Sequence, residues 1–232
     1  MTAGGPAAVL FDLDGTLVAS EGIWALALQE LAAEYGGRLS TAARLAMVGV
    51  NTVDSMAILH ADIGQPWRDP VAGAARLEDR VAELFAAGLP WRPGAPLLLA
   101  AVRAAGIRTA LVTSSARRLV TVALATVGAD NFDAVVCGDE VVAPKPDPTP
   151  YLMAARLLGV APGDCVAVED SPAGVASARA AGMPVVAVPQ EVPVPPADGV
   201  HLVSSLTDVD LALLTEIPAI LRMSGGSSGV TT

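Results

Sequence analysis

The chain is 232 residues long, which at roughly 150 residues per domain is room for one large domain or one and a half. Hydrophobic residues make up 53% and the mean hydropathy is +0.53, yet the longest apolar stretch, Leu119 to Ala129, falls short of the ~18 to 20 residues a membrane span needs, so no transmembrane helix is expected. With 14 basic against 24 acidic side chains the net charge is -10, a field that repels phosphate backbones and argues against nucleic acid or an anionic membrane as partner.

The apolar surplus is Ala, Val and Leu with only 3% aromatics, a pattern of small-faced helices packed on aliphatic strands. The N-terminal MTAGGPAAVLFDLDG has no basic n-region and predicts no signal peptide. Cys137 and Cys165 lie in Val-rich segments and read as small buried hydrophobes in a reduced cytoplasm.

In chain order, strands are predicted at Ala7 to Phe11, Arg108 to Thr113, Ala134 to Cys137, Cys165 to Val168 and Val185 to Val188, with a weaker one near His201 to Val203. Helices separate them. Ala95 to Ala105 ends at Gly106, Ala116 to Val127 ends at Gly128, Pro148 to Leu158 is capped by Asp147, and Ala173 to Ala181 is capped by Ser171 and opened by Pro172. This alternation predicts an α/β fold with a Rossmann-like parallel sheet. From Ser20 to about Gly88 only helical patterns occur, at Glu21 to Tyr35, Thr41 to Val48, Val53 to Ala61 and Asp69 to Ala87. The predicted organisation is therefore a core of residues 1–19 and 91–222, an inserted all-helical cap of residues 20–90 left through the hinge-like LPWRPGAP, and a disordered tail of residues 223–232. PQEVPVPPADG reads as a proline-rich surface connection.

The chemistry gathers at strand ends. The first strand runs into Asp12-Leu13-Asp14-Gly15-Thr16, two carboxylates at the carboxyl edge of a sheet, where open α/β folds bind ligands. Their repulsion would be relieved by a divalent cation; a turn or helix cap before Gly15 is the plainer alternative. The second strand delivers Thr113-Ser114-Ser115, hydroxyls for a phosphoryl oxygen, although Ser115 also suits a helix N-cap. Lys145 follows the third strand between Pro144 and Pro146, either aimed by that extended path or a solvated loop lysine. The fourth strand ends in Glu169-Asp170-Ser171-Pro172. Acid, hydroxyl, lysine and acid, each at its own strand end, form a constellation.

With these residues the sequence resembles the haloacid dehalogenase-like hydrolases, across about Val9 to Val188. The resemblance rests on DLDGT at Asp12 to Thr16, Thr113, Lys145 and the pair Glu169-Asp170 followed by Ser171, Gly174 and Ala178. The helical insertion resembles the small cap of the subgroup with phosphoglycolate phosphatase, β-phosphoglucomutase and the sugar phosphatases. The resemblance implies a Mg²⁺-dependent phosphatase acting through an aspartyl phosphate, with Asp12 as nucleophile and Asp14 as acid and base. Thr113, Ser114 and Lys145 would bind the substrate phosphate. Mg²⁺ would be held by Asp12, the Asp14 backbone carbonyl and Asp170, with Glu169 a further ligand or a support behind them. Glu21, Trp24 and Thr52 stand where the cap sets specificity. In β-phosphoglucomutases the positions of Trp24 and Thr52 carry a proton-transferring histidine and a phosphate-gripping arginine, so this chain is expected to hydrolyse rather than isomerise. SEGIW and the later Gln65-Pro66-Trp67 look like the hexitol and 2-deoxyglucose-6-phosphatases, which points to a sugar or polyol phosphate. Packing between cap and core is the alternative reading of Trp24 and Trp67, and Ala19 stands where many relatives carry aspartate. A phosphoglucomutase-type transferase is the alternative function, and a non-catalytic phospho-signalling or interaction protein on the same scaffold the alternative class. The expected partner is a small phosphorylated metabolite, with no nucleic acid, no membrane, and a monomer or weak dimer in the cytoplasm. His60 and His201 lie away from the motifs and predict no catalytic role, and Glu78, Asp79, Arg80 and Glu83 predict a solvated helix face.

Overall fold

The structure, a computed structural model, describes residues 5–224. Six parallel strands, β1 (Ala8–Phe11), β2 (Arg108–Val112), β3 (Ala134–Val136), β4 (Cys165–Glu169), β5 (Val185–Ala187) and β6 (Val200–Leu202), form one sheet in the order β3-β2-β1-β4-β5-β6. The fold is the expected Rossmann-like α/β architecture. The strands read as continuous apolar runs because both faces are covered. On β1, Val9 and Phe11 face one core while Ala8 and Leu10 face the other, and Val166 and Val168 against Cys165 and Ala167 repeat the alternation on β4.

Helices α1 (Glu21–Glu34), α2 (Thr41–Ala46), α3 (Thr52–Asp62) and α4 (Pro70–Ala87) lie between β1 and β2. They are followed by α5 (Ala95–Ala104), α6 (Arg117–Val127), α7 (Thr149–Leu158), α8 (Pro172–Ala180) and α9 (Leu211–Ser224). Strong caps start several of them: Ser40, Asn51, Asp69 and Ser171 each accept a backbone N–H from the first turn. Helices α7 and α8 pack on one face of the sheet, and α5, α6 and α9 on the other. The chain enters and leaves the insertion through paired backbone, with Ala19 N–H donating to the Pro90 carbonyl at 2.8 Å and Arg92 N–H to that of Leu17 at 2.9 Å.

Some sequence expectations are corrected. The N-cap of α6 is Ala116, and Ser115 turns its hydroxyl elsewhere. The N-cap of α7 is Pro148, with Asp147 one residue earlier accepting from Thr149 N–H. Helix α9 was not expected; it carries the chain to Ser224, two residues into the expected tail, and residues 225–232 of that tail lie outside the described residues. Nor is the α4 face with Glu78 and Asp79 merely solvated: Arg118 on α6 pairs with Glu78 at 2.7 Å and with Asp79, tying the insertion to the sheet layer. Trp67 is 77% exposed and packs neither cap nor core.

Candidate active site

Strand register sets the site. Phe11 lies beside Leu111 on β2 and Val168 on β4, so the next residues, Asp12, Val112-Thr113 and Glu169-Asp170, emerge side by side at the carboxyl edge. Asp12 N–H donates to the Val168 carbonyl at 3.0 Å, extending the ladder one residue into the site. Asp12, Thr113, Lys145, Glu169 and Asp170 are all buried.

Lys145 is fully engaged. Its Nζ donates to Asp12 Oδ1 at 2.7 Å, to the Val112 carbonyl at 2.9 Å and to Glu169 Oε1 at 2.5 Å. The solvated-loop alternative is thereby removed. Burial alone would lower the lysine pKa, but the Asp12 and Glu169 carboxylates beside the ammonium keep it above its ordinary value. Glu169 is held from both sides. Tyr151 Oη donates to Oε1 at 2.7 Å and Ser171 Oγ to Oε2 at 3.2 Å, and a Cβ at Gly174 would come within 1.9 Å of its Oε1. Tyr151, from α7, carried no sequence signal: a buried tyrosine inside a helical run reads as packing until its hydroxyl partner is known.

Asp12, Glu169 and Asp170 bring carboxylate oxygens within 4.8 Å of one another. Burial raises the carboxyl pKa of Asp12 and lifts that of Asp170 well above the usual range, Lys145 opposing this and the neighbouring carboxylates reinforcing it. One ammonium among three buried carboxylates leaves an uncompensated negative charge. A hard divalent cation on Asp12 and Asp170 is the physical complement of this donor set, whereas both Glu169 oxygens already accept from protein donors. Close packing preserves the arrangement: Gly15 sits at φ +81°, and a Cβ there would lie 2.1 Å from Asp170 Oδ2.

Asp14 is gripped separately. Its Oδ1 accepts from Ser20 Oγ at 2.6 Å and from the Trp24 indole Nε1–H at 2.9 Å, and its Oδ2 from Ser115 Oγ at 2.7 Å. Trp24 thus belongs to the insertion yet reaches Asp14 at the sheet edge, while its ring packs edge-on against Phe85 with centroids 6.4 Å apart. Thr113 Oγ1 accepts from Ser115 N–H at 3.0 Å, leaving its own hydroxyl proton for a ligand. Ser114, expected on phosphate, donates its hydroxyl to the Gly49 carbonyl at 3.1 Å, so it joins the two layers across the cleft. Glu21 and Thr52 line the same cleft as Asp12, Asp14, Thr113 and Lys145. His60 is buried between α3 and α4, and His201 lies on β6; neither lines the cleft. Arg44 and Glu191 do, and the sequence reading missed both.

A strand-end acid pair, a buried lysine bridging two carboxylates, and a helical insertion closing over them define a hydrolase site on an α/β sheet. The family model for haloacid dehalogenase-like hydrolases matches residues 6–182, and the chain belongs to that family. Hexitol phosphatase A of Escherichia coli is 37% identical over 195 residues, covering 84% of this chain and 88% of that protein. Phosphoglycolate phosphatase of Rhodospirillum rubrum is 37% identical over 190 residues, 78% of each chain. The solved β-phosphoglucomutase of Clostridium difficile superposes with a TM-score of 0.80 at 21% identity, covering 94% of this chain and 99% of that one, a likeness of fold.

Proposed function

We propose that this phosphoric monoester hydrolase is a Mg²⁺-dependent phosphatase of a small phosphorylated metabolite, a sugar or polyol phosphate, working through an aspartyl phosphate. The observation that carries the reading is Asp12, a buried strand-end carboxylate fixed through one oxygen by Lys145 while the residue lines the cleft. In the first step an Asp12 oxygen attacks phosphorus, the ester P–O bond breaks, and Asp14 gives its proton to the leaving alkoxide. In the second step Asp14 takes a proton from water, the water oxygen attacks phosphorus, and the Asp12–phosphorus bond breaks to release inorganic phosphate. Ser20, Trp24 and Ser115 orient the Asp14 carboxylate from outside the Lys145 cluster, which supports giving it both tasks.

Thr113 serves a phosphoryl oxygen as a preorganised donor, while Lys145, its three N–H groups engaged, fixes Asp12 and contributes positive charge beside the phosphate. Mg²⁺ would be held by Asp12, the Asp14 carbonyl and Asp170, and when bound supplies charge neutralisation between nucleophile and phosphate. Glu169 serves as a support that fixes Lys145. The helical insertion of residues 20–90 acts as a cap, delivering Trp24 to Asp14 and covering the leaving group. Relatives named hexitol phosphatase and phosphoglycolate phosphatase support hydrolysis of a small monoester. The test is Asp12→Asn, expected to cut Mg²⁺-dependent phosphate release from an aryl phosphate at least ~10³-fold. Turnover near the wild-type rate would remove Asp12 from the nucleophile's role.

A further inference from the structure

The apolar side chains lining the cleft are Trp24, Leu28, Met47, Val48, Val50 and Leu77. Apart from Asp12, Asp14, Lys145 and Asp170, its charged lining is two acids and one base, Glu21, Glu191 and Arg44. Both acids are already paired. Glu21 meets Arg92 at 3.4 Å, and Arg92 lies outside the cleft lining. Glu191, in the proline-rich connection after β5, accepts a hydrogen bond from Arg44 on α2 across the gap between insertion and sheet. The only other cation lining the cleft among the described residues is Lys145, whose three donated bonds go to Asp12, Val112 and Glu169.

A second anionic group on a substrate needs a cation to replace its lost hydration. Here it would have to take Arg44 from Glu191 and leave that carboxylate unpaired beside it, with Glu21 nearby in the same cleft. Like charges brought together at a site are a means of rejection as effective as any attractive contact. An uncharged leaving group meets no such opposition. Apolar walls cover its C–H faces, and the hydroxyls of Thr52 and Ser55 with the two carboxylates can take its hydroxyls.

We infer that Glu191 is a specificity-determining residue: by occupying Arg44 it restricts the site to monophosphates of uncharged leaving groups and excludes bisphosphates and phosphorylated acids. This rests on the phosphatase reading above. The experiment compares kcat/KM for a hexitol 6-phosphate, 2-phosphoglycolate and a hexose 1,6-bisphosphate, with an aryl phosphate as reference, in the wild type, Glu191→Gln and Glu191→Gln/Arg44→Gln. The wild type should favour the hexitol phosphate over both doubly anionic substrates by about tenfold or more. Glu191→Gln should narrow that ratio about tenfold by freeing Arg44, and the double variant should restore it because no cation is left to receive the second anion. Because each variant is judged on a ratio of substrates within one preparation, a partial loss of folded protein does not move the result. If the aryl phosphate is hydrolysed but the wild type prefers a doubly anionic substrate, or Glu191→Gln leaves the ratio unmoved, the charge filter is wrong and the phosphatase reading stands. If no monoester is hydrolysed, both fall.

Discussion

At the scale of single residues, the site is defined by who donates to whom. Trp24 is the clearest case. The sequence left its role open between packing and specificity, and the structure gives it both a packing partner in Phe85 and a hydrogen bond to Asp14. An indole can donate and cannot accept a proton, so if Asp14 is the acid and base proposed above, Trp24 would position it without relaying for it. Trp24→Phe keeps an aromatic ring near Phe85 and deletes the N–H; it should lower kcat about tenfold with KM within about twofold, and steady-state kinetics on an aryl phosphate reads the split. A rise in KM at constant kcat would instead make Trp24 a binding wall. Tyr151 makes a similar argument in the buried half of the site. Tyr151→Phe takes away one of the two donors on Glu169 Oε1 in a fully buried setting and should cost about 1–3 kcal/mol of stability, read from the denaturant midpoint. An unchanged midpoint would mean that Glu169 finds a substitute partner.

At the scale of elements, the strands were legible because short aliphatic runs between capped helical patterns admit few other readings, and the predicted bounds lie within a residue of β1 to β6. Helix α9 was not legible, since Pro218 sits inside the run and proline argues against a helix interior. The relations between elements were equally hidden. Nothing in a linear sequence says that Arg118 on α6 will meet Glu78 and Asp79 on α4, or that a proline-rich connection will carry Glu191 to Arg44. His60 shows what such packing can cost. It is buried between α3 and α4 with neither ring nitrogen hydrogen-bonded, its ring tilted against Tyr35 at 5.6 Å. Burial, helped by the Arg68 charge and opposed by Asp69, holds its pKa below the ordinary value. The folded ring therefore stays neutral where the unfolded chain's imidazole takes a proton, and stability falls as pH drops below about 6.5, at no more than ~1.4 kcal/mol per pH unit from this group. His60→Leu should flatten that slope between pH 6.5 and 5 in thermal melts; an unchanged slope would place the acid sensitivity elsewhere.

At the scale of the whole molecule, the acidic balance that argued against polyanionic partners acquires a local meaning. Lys145 is the only lysine in the sequence, and it lies buried among Asp12, Glu169 and Asp170. Four short motifs spread over most of the chain predicted this gathering, because a parallel sheet aligns its strand ends; the donors that support it, Tyr151, Ser20 and Ser115, come from loops and helices whose positions depend on tertiary packing. The uncompensated charge leads to a prediction about the folded chain as a unit. Burial keeps the Asp12 and Asp170 carboxyls above the usual carboxylate range, so without metal these two groups bind more protons in the folded state than in the unfolded chain once pH exceeds about 4, and their contribution to stability declines as pH rises toward neutrality. On the proposed function, Mg²⁺ would bind the folded state in competition with those protons, so its stabilisation would grow with pH, reaching about 2.7 kcal/mol where its concentration is 100 times Kd. Melting curves with Mg²⁺ and with a chelator should separate more at pH 8 than at pH 6, and Asp170→Asn should close most of that gap. Coincident curves at pH 8 would show that the three carboxylates are held by proton sharing with Lys145 alone, and the metal would then have no place in the site.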